Sequence, residues 1–353
     1  MLKIIELIIN IWYNKNVFKA YCQNEKLLTK GEVMKFSVLG CGRWGSFITW
    51  YLSSQGLPTC EWGRETSKAF KVLKETGENE YVKLNKNVEL TSDLKAAVDF
   101  ADVIIISIKS QGLRELAEQL KTLGGDEKVI VLCMKGLEED TGKRLSEIMI
   151  ECGYDKQKLA VWVGPGHIQE FTQGKPNCMV IDGYDETLVK TLAQTLKSNL
   201  IRFYYGADIV GSEIGAASKN VMGIAAGVLD GGGFKSLKGA LMARGAREVA
   251  RLIKAMGGNE LSAYGLCHLG DYETTLFSEF SNNRRFGEEL YKGVKFDKLA
   301  EGVYTAKAMV VLAKKYGVEL PITQAVYNIV YENHEPLAEL LNLFSRKNVA
   351  EFI

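Results

Sequence analysis

Two hydrophobic rhythms divide the chain. From Phe36 to Ile181, short continuous apolar runs alternate with stretches whose apolar residues recur at helical spacing. Phe36-Ser37-Val38-Leu39 is the first such run, and Phe47, Ile48, Tyr51 and Leu52 mark the helix that follows. Pro58–Trp62, Val103–Ser107, Lys128–Met134, Ala160–Val163 and Asn177–Ile181 read as further strands, with helical patterns over Leu113–Leu123 and Arg144–Cys152. Uninterrupted apolar strands are buried on both faces, and strands alternating with helices predict a parallel, doubly wound α/β sheet. From Asp208 to the end helical spacing dominates, which predicts an all-helical second domain. The boundary is expected near Gly206, giving domains over 34–206 and 207–353 with an extension over 1–33.

The turn between the first strand and its helix reads Gly40-Cys41-Gly42-Arg43-Trp44-Gly45, a G-x-G-x-x-G spacing in strand–turn–helix context. Gly40 permits the tight turn, Gly42 lets a pyrophosphate approach the backbone, and Gly45 lets helix and strand pack closely. The helix then directs its free N–H groups and positive dipole end at the phosphates. A glycine-rich turn without a nucleotide is the plainer alternative. Arg64, just after the second strand, suits a ribose 2′-phosphate and so leans toward NADPH, although Glu61 and Glu65 blunt that preference. Ligands of such sheets bind beyond the carboxyl ends of the strands, which puts Lys109-Ser110-Gln111 and Lys135-Gly136-Leu137-Glu138 beside the nucleotide.

In the helical half, Val210, Ile214, Ala217, Val221, Ile224 and Val228 form one apolar stripe. Lys219 lies opposite it, on a face carrying Gly211, Gly215, Met222 and Ala226. A solvated face would carry charges, so another layer is expected against this one, and Lys219 needs either a partner or a chemical purpose. A tight helix–helix contact with a snorkelling lysine fits the same residues. His268–Thr275 reads as a loop entering a helix, and Ser281-Asn282-Asn283-Arg284-Arg285 beside Asp271 and Thr275 suits either a phosphorylated polyol or simply a capped turn with an exposed basic pair. Glu301 opens a helix that stops at Gly317, with Pro321 beyond it.

Composition narrows the class. A net charge of +1 carries no nucleic-acid footprint, and the 46% apolar content is ordinary for a globular protein. Seven cysteines without a C-x-x-C pair are expected to be reduced thiols of a cytoplasmic protein, and three scattered histidines offer no metal motif. Residues 2–17 are apolar-rich but broken by Lys3, Glu6, Asn10, Asn14 and Lys15, so no integral membrane segment is expected. The extension reads as poorly ordered or as a peripheral amphipathic helix, with Met34 a candidate start.

Taken together, the glycine turn, Lys135-Gly136-Leu137-Glu138, Gly215-Ala216-Ala217-Ser218-Lys219-Asn220-Val221, Leu269-Gly270-Asp271, Asn283-Arg284-Arg285-Phe286-Gly287, Glu301-Gly302 and Val318–Thr323 resemble NAD(P)-dependent glycerol-3-phosphate dehydrogenase of the soluble bacterial type. The resemblance spans about residues 35–345. It implies a Rossmann domain followed by an all-helical substrate domain, NADP or NAD as cofactor, and reduction of dihydroxyacetone phosphate to glycerol 3-phosphate for phospholipid synthesis. A homodimer is implied as well. Lys219 is implied as the acid/base, with Lys135, Asp271 and Thr275 completing the catalytic set. Gly164, Ser281 and Asn283 are implied to line the substrate site together with Lys135, Lys219 and Asp271. Arg43, Trp44, Arg64, Lys135, Ile168, Asn282 and Glu301 are implied to meet the dinucleotide together with Gly40, Gly42 and Gly45. The chain departs from the family at Asn282, where an arginine is usual and where Arg284 or Lys109 are the candidate substitutes. It departs also at Gly166-His167, where a hydroxyl residue and a phenylalanine are usual, and at Glu61, usually aliphatic. These departures leave open a reductase of another phosphorylated or carboxylated keto compound, or a sensor that binds the dinucleotide without turnover.

Overall fold

The computed structural model describes residues 33–348, 350 and 351. The extension read at 1–33 therefore lies, Val33 apart, outside the described residues. Lys35–Ile353 forms one compact unit.

Its centre is β1 (Phe36–Leu39), buried along its whole length. The strand pairs in parallel with β2 (Thr59–Trp62) on one side and β4 (Val103–Ile106) on the other, Phe36 standing opposite both Thr59 and Val103. The helices between are α1 (Arg43–Ser54), α2 (Lys68–Thr76) and α3 (Leu94–Phe100), and β3 (Glu89–Thr91) closes that edge. On the other side α4 (Leu113–Thr122), β5 (Val129–Leu132), α5 (Leu145–Glu151) and β6 (Leu159–Val163) continue the winding. After α6 (Ile168–Phe171) come β7 (Asn177–Gly183), α7 (Glu186–Leu196) and β8 (Ile201–Tyr205). The eight strands lie in the order β3-β2-β1-β4-β5-β6-β7-β8. Strand order reverses between β1 and β4, the point at which a doubly wound sheet opens a crevice.

The α/β doubly wound expectation is met, but the sheet is not wholly parallel. β7 runs antiparallel to β6, and β8 follows β7. The connection from β6 holds only the four-residue α6, too little to carry the chain back across the sheet for a parallel return. Two strands escaped the sequence reading. β3 is three residues at the sheet edge, and β8 exposes Tyr204 and Tyr205, so neither shows a continuous apolar run.

Beyond Tyr205 the chain is helical: α8 (Ile209–Gly231), α9 (Lys238–Ala255), α10 (Asn282–Tyr291), α11 (Glu301–Tyr316), α12 (Pro321–Tyr331) and α13 (Pro336–Phe344). α8 is the spine. One face carries Ile214, Ala217, Val221 and Ile224 into a core with Leu252, Met309 and Val326. The opposite face is covered too, by α10. Gly223, Gly227 and Gly231 recur every four residues and Gly287 meets them: a Cβ on Gly227 would fall 1.9 Å from the Arg284 carbonyl oxygen, and one on Gly287 2.0 Å from that of Ile224. Backbone-to-backbone contact of this kind needs glycine. The layer the sequence called for against the face of Lys219, Gly211, Gly215 and Met222 is supplied beside it by the segment from Ser262 to Thr275 and by Gly245 of α9. The His268–Thr275 segment, expected to be a loop entering a helix, instead makes a 3-10 turn over Leu269–Asp271 and a π turn over Glu273–Phe277. No helix among the described residues is long and apolar enough to cross a membrane.

Candidate active site between sheet and helices

A cavity of about 920 Å³ opens over the carboxyl ends of β1, β2, β4 and β5 and is closed from the other side by α8, α10 and α11. Its floor is the glycine turn. Gly40 has φ +119°, and a Cβ there would strike the Ser107 carbonyl oxygen at 2.3 Å. Gly45 lies so close to Gly40 that a Cβ would sit 1.7 Å from its carbonyl oxygen. Gly42 is the contrast: a Cβ there meets nothing within 4 Å, so this residue faces open space. α1 starts directly after it with no side-chain cap, leaving its first N–H groups directed into the cavity. Arg43 and Arg64 line the rim, and Trp44 lines the cavity with a buried indole Nε1–H that has no partner. Free amides, an open glycine, an orphaned donor and two rim guanidiniums fit the phosphates and ribose of a dinucleotide. Glu301 adds a further polar group. Its Oε1 accepts from the Ser110 N–H at 3.4 Å while its Oε2 is buried without a partner, and burial raises its pKa.

The other wall carries the charges. Lys219, 7% exposed on α8, places Nζ 2.8 Å from Asp271 Oδ2 and donates to Thr275 Oγ1 at 2.8 Å. Lys135, just past β5, reaches the same Asp271 Oδ2 at 2.7 Å and donates to the Gly164 carbonyl oxygen at 2.6 Å. Its ammonium also lies 5.9 Å from the Trp44 ring centroid. Two ammonium groups thus share one fully buried carboxylate. Burial alone would push Asp271 up, but Lys135 and Lys219 outweigh it and hold the group below the ordinary carboxylate range. Burial is also the largest influence on Lys219 and pushes it down to about 8; Asp271 opposes the shift and Lys135 reinforces it. Lys219 can therefore hold or release a proton near neutrality.

Asn220, next to Lys219, donates its amide to the Lys135 carbonyl oxygen at 2.8 Å and accepts from the Asn283 amide at 3.0 Å. Asn283 in turn accepts from the Gly302 N–H at 2.9 Å. The glycine contact of α8 with α10 makes this chain possible, because it sets Asn283 against Asn220. Thr274 donates to Asp271 Oδ1 and holds the carboxylate from behind. Asn220 and Thr274 went unremarked in the sequence as site residues. Thr274 stands three residues after Asp271, a side chain-to-carboxylate spacing that was readable, but Asn220 needed the facing helix.

Most of the residues expected from sequence meet in this one cavity, though not all as expected. Ser281 and Asn282 line it. Ser281 also caps α10 by accepting from the Arg284 N–H, and the Asn282 amide donates to the Leu299 carbonyl oxygen at 3.2 Å. Gly164 acts through its carbonyl. Ile168 does not line the cavity: its side chain is 3% exposed and packed in the core, because it is the first residue of α6 behind His167. Arg284 is no substitute for a cation at Asn282, since its guanidinium turns away to Asp230 at 2.5 Å. Lys109 lines the cavity. Glu61 does not compete for the ribose. It points beneath α1, accepts from Ser46 Oγ at 2.9 Å and is fully buried, which pushes its pKa up to about 8. Gly166 leaves no room for a hydroxyl side chain, since a Cβ would meet the Phe171 ring at 2.3 Å; His167 lines the cavity and packs edge-on against Phe280.

A doubly wound sheet with a glycine turn, joined to a helical half that sets a buried lysine over the same cavity, defines a dinucleotide-dependent oxidoreductase. The family described as NAD-dependent glycerol-3-phosphate dehydrogenase matches the chain twice, by its N-terminal part over residues 35–189 and its C-terminal part over 208–341, and the chain belongs to it. It is 35% identical over 327 residues to the glycerol-3-phosphate dehydrogenase (NAD(P)+) of Prosthecochloris aestuarii, covering 89% of this chain and 98% of that one. It is 36% identical over 308 residues to the enzyme of that name from Moorella thermoacetica, covering 84% and 91%. The crystal structure of glycerol-3-phosphate dehydrogenase from Coxiella burnetii superposes with a TM-score of 0.83 at 28% identity, over 89% of this chain and 99% of that one.

Proposed function

We propose that the protein reversibly reduces dihydroxyacetone phosphate to sn-glycerol 3-phosphate with NADPH or NADH, and so supplies glycerophospholipid synthesis. The observation that carries this reading is the placement of Lys219 and Lys135 on the cavity that begins at the glycine turn, both paired to the buried Asp271. A dinucleotide whose phosphates were held by that turn would supply the hydride in one direction and accept it in the other. The chain's own residues do the rest. Lys219, as ammonium, donates a hydrogen bond to the carbonyl oxygen and then its proton to the developing alkoxide; in the reverse direction its free amine takes the hydroxyl proton. Asp271 and Thr275 fix the position of Lys219 Nζ, and Thr274 fixes Asp271. Lys135 supplies a second positive charge beside the reacting oxygen. Near-complete burial of Lys219 keeps water from competing for that proton.

In this reading Arg64 meets the ribose of the dinucleotide, Arg43, Trp44 and Glu301 meet its other parts, and Ser281 and Asn283 face the substrate. The enzyme is taken as a cytoplasmic homodimer, and sedimentation checks the oligomeric state. The direct test is an absorbance assay with NADPH and NADH on dihydroxyacetone phosphate and a small panel of other keto compounds. Selective turnover of dihydroxyacetone phosphate is expected. Lys219→Ala is expected to lose about 10²–10⁴-fold in turnover while binding NADPH nearly as tightly. Undiminished turnover in that variant removes Lys219 from its role.

A further inference from the structure

The cations that line the cavity are Arg43, Arg64, Lys109, Lys135 and Lys219. Lys135 and Lys219 are committed to Asp271. Arg43 begins α1 beside the glycine turn, and Arg64 follows β2 at the far rim. Lys109 comes from a third segment. It follows β4, directly before Ser110, whose N–H donates to Glu301 at the start of α11. Its side chain is exposed and makes no salt bridge with a described residue, although its charge is close enough to lower the pKa of Glu301. Ser281, Asn282 and Leu299 line the same cavity and are neutral, and the carboxyl near Lys109 is that of Glu301, which burial pushes toward its neutral form. The Asn282 amide gives one N–H to the Leu299 carbonyl, and Arg284, two residues on, is held by Asp230. With Lys135 and Lys219 held by Asp271, the cavity cations left for an anion are Arg43, Arg64 and Lys109, and Lys109 is the one that follows β4, next to the start of α11.

We propose that Lys109 is the counter-cation of a phosphoryl group bound between β4 and the start of α10, and a specificity-determining residue for phosphorylated ligands. The inference rests on the reading of the site given above. The phosphoryl group is that of the substrate or that of the dinucleotide. A mobile four-carbon arm suits either, because an ammonium acts as a point charge without the fixed fork of a guanidinium. It also places the cation on the sheet half, so that a bound phosphoryl ties that half to the neutral start of α10.

The test compares wild type with Lys109→Met, which keeps the stem and removes the charge, and Lys109→Arg, which restores it. The exposed position leaves folding intact, and equal melting temperatures check that. NADPH affinity is read by fluorescence titration, and affinity for dihydroxyacetone phosphate by calorimetry on the NADP-loaded enzyme; neither needs turnover. The ratio of kcat/KM for dihydroxyacetone phosphate over dihydroxyacetone is read alongside. A loss of about 10–100-fold in phosphate-ester affinity and in that ratio, recovered by arginine, assigns Lys109 to the substrate. The same loss in NADPH affinity with an unchanged ratio assigns it to the dinucleotide. Unchanged affinity for both ligands in Lys109→Met overturns the proposal. Absence of turnover in wild type would overturn the proposed reaction and leave the two binding measurements to decide the role of Lys109.

Discussion

The two walls of the cavity solve different problems. The sheet wall offers backbone: the turn from Gly40 to Gly45 is one uninterrupted stretch whose contribution is free amides and open space. The helical wall offers charge. Its Lys219, Asp271 and Thr275 come from α8 and from the turns after α9, and Lys135 reaches them from the sheet. The sheet wall is cheap to build, since glycines cost little once the turn is formed. The helical wall buries two charged groups, Lys219 and Asp271, and is stable only while each has its partner. Recognition of a common cofactor thus rests on local geometry, and chemistry on a long-range ion cluster.

Asp271→Asn attacks the second wall and carries the largest expected effect. It leaves two ammonium groups facing each other without their shared carboxylate. The folded state is expected to lose about 3–5 kcal/mol, read as a lower Tm and lower denaturation midpoint. The catalytic signature is separate. In wild type, ketone reduction needs protonated Lys219 and should fall as pH rises through about 8, while alcohol oxidation should rise over the same interval. Asp271 raises the Lys219 pKa, so in Asp271→Asn both limbs move to lower pH. An unmoved pH profile would break the assignment of these residues to one cluster.

Gly45→Ala attacks the first wall. The new methyl collides with the Gly40 carbonyl, so the turn shifts by an ångström or so and NADPH affinity falls about 100-fold. The Lys219 cluster should be untouched, so the pH limb of residual reduction stays near 8. A shifted limb in this variant would show that the two walls are not separable.

Glu61→Gln is the smallest and sharpest probe, because Glu61 supports the first wall from beneath with a charge site it does not use. The carboxyl is protonated in the folded protein up to about pH 8 but titrates at its ordinary value when unfolded. Its contribution to stability is complete below that ordinary value and is lost as pH rises toward 8. Glutamine keeps the acceptor for Ser46 and does not titrate. The variant should match wild type near pH 4 and melt several degrees higher at pH 8. Equal melting at both pH values would mean that Glu61 is solvated or paired.

Local pattern decided a good deal. A glycine turn between an apolar strand and an amphipathic helix is a short-range arrangement, so strand, turn and helix were all legible in Phe36–Leu52. The uncharged face around Lys219 announced a second layer, because no solvated helix leaves a full face without charge. Burial of apolar runs is likewise a property each segment carries in its own composition. The reversal at β7, the use of the Gly223-Gly227-Gly231 ridge to seat α10, the turning of Arg284 to Asp230 and the approach of Lys109 to Glu301 were decided only in three dimensions. Each depends on which distant group arrives within a few ångströms, and electrostatic and close-packing energies vary over that distance while sequence spacing does not record it.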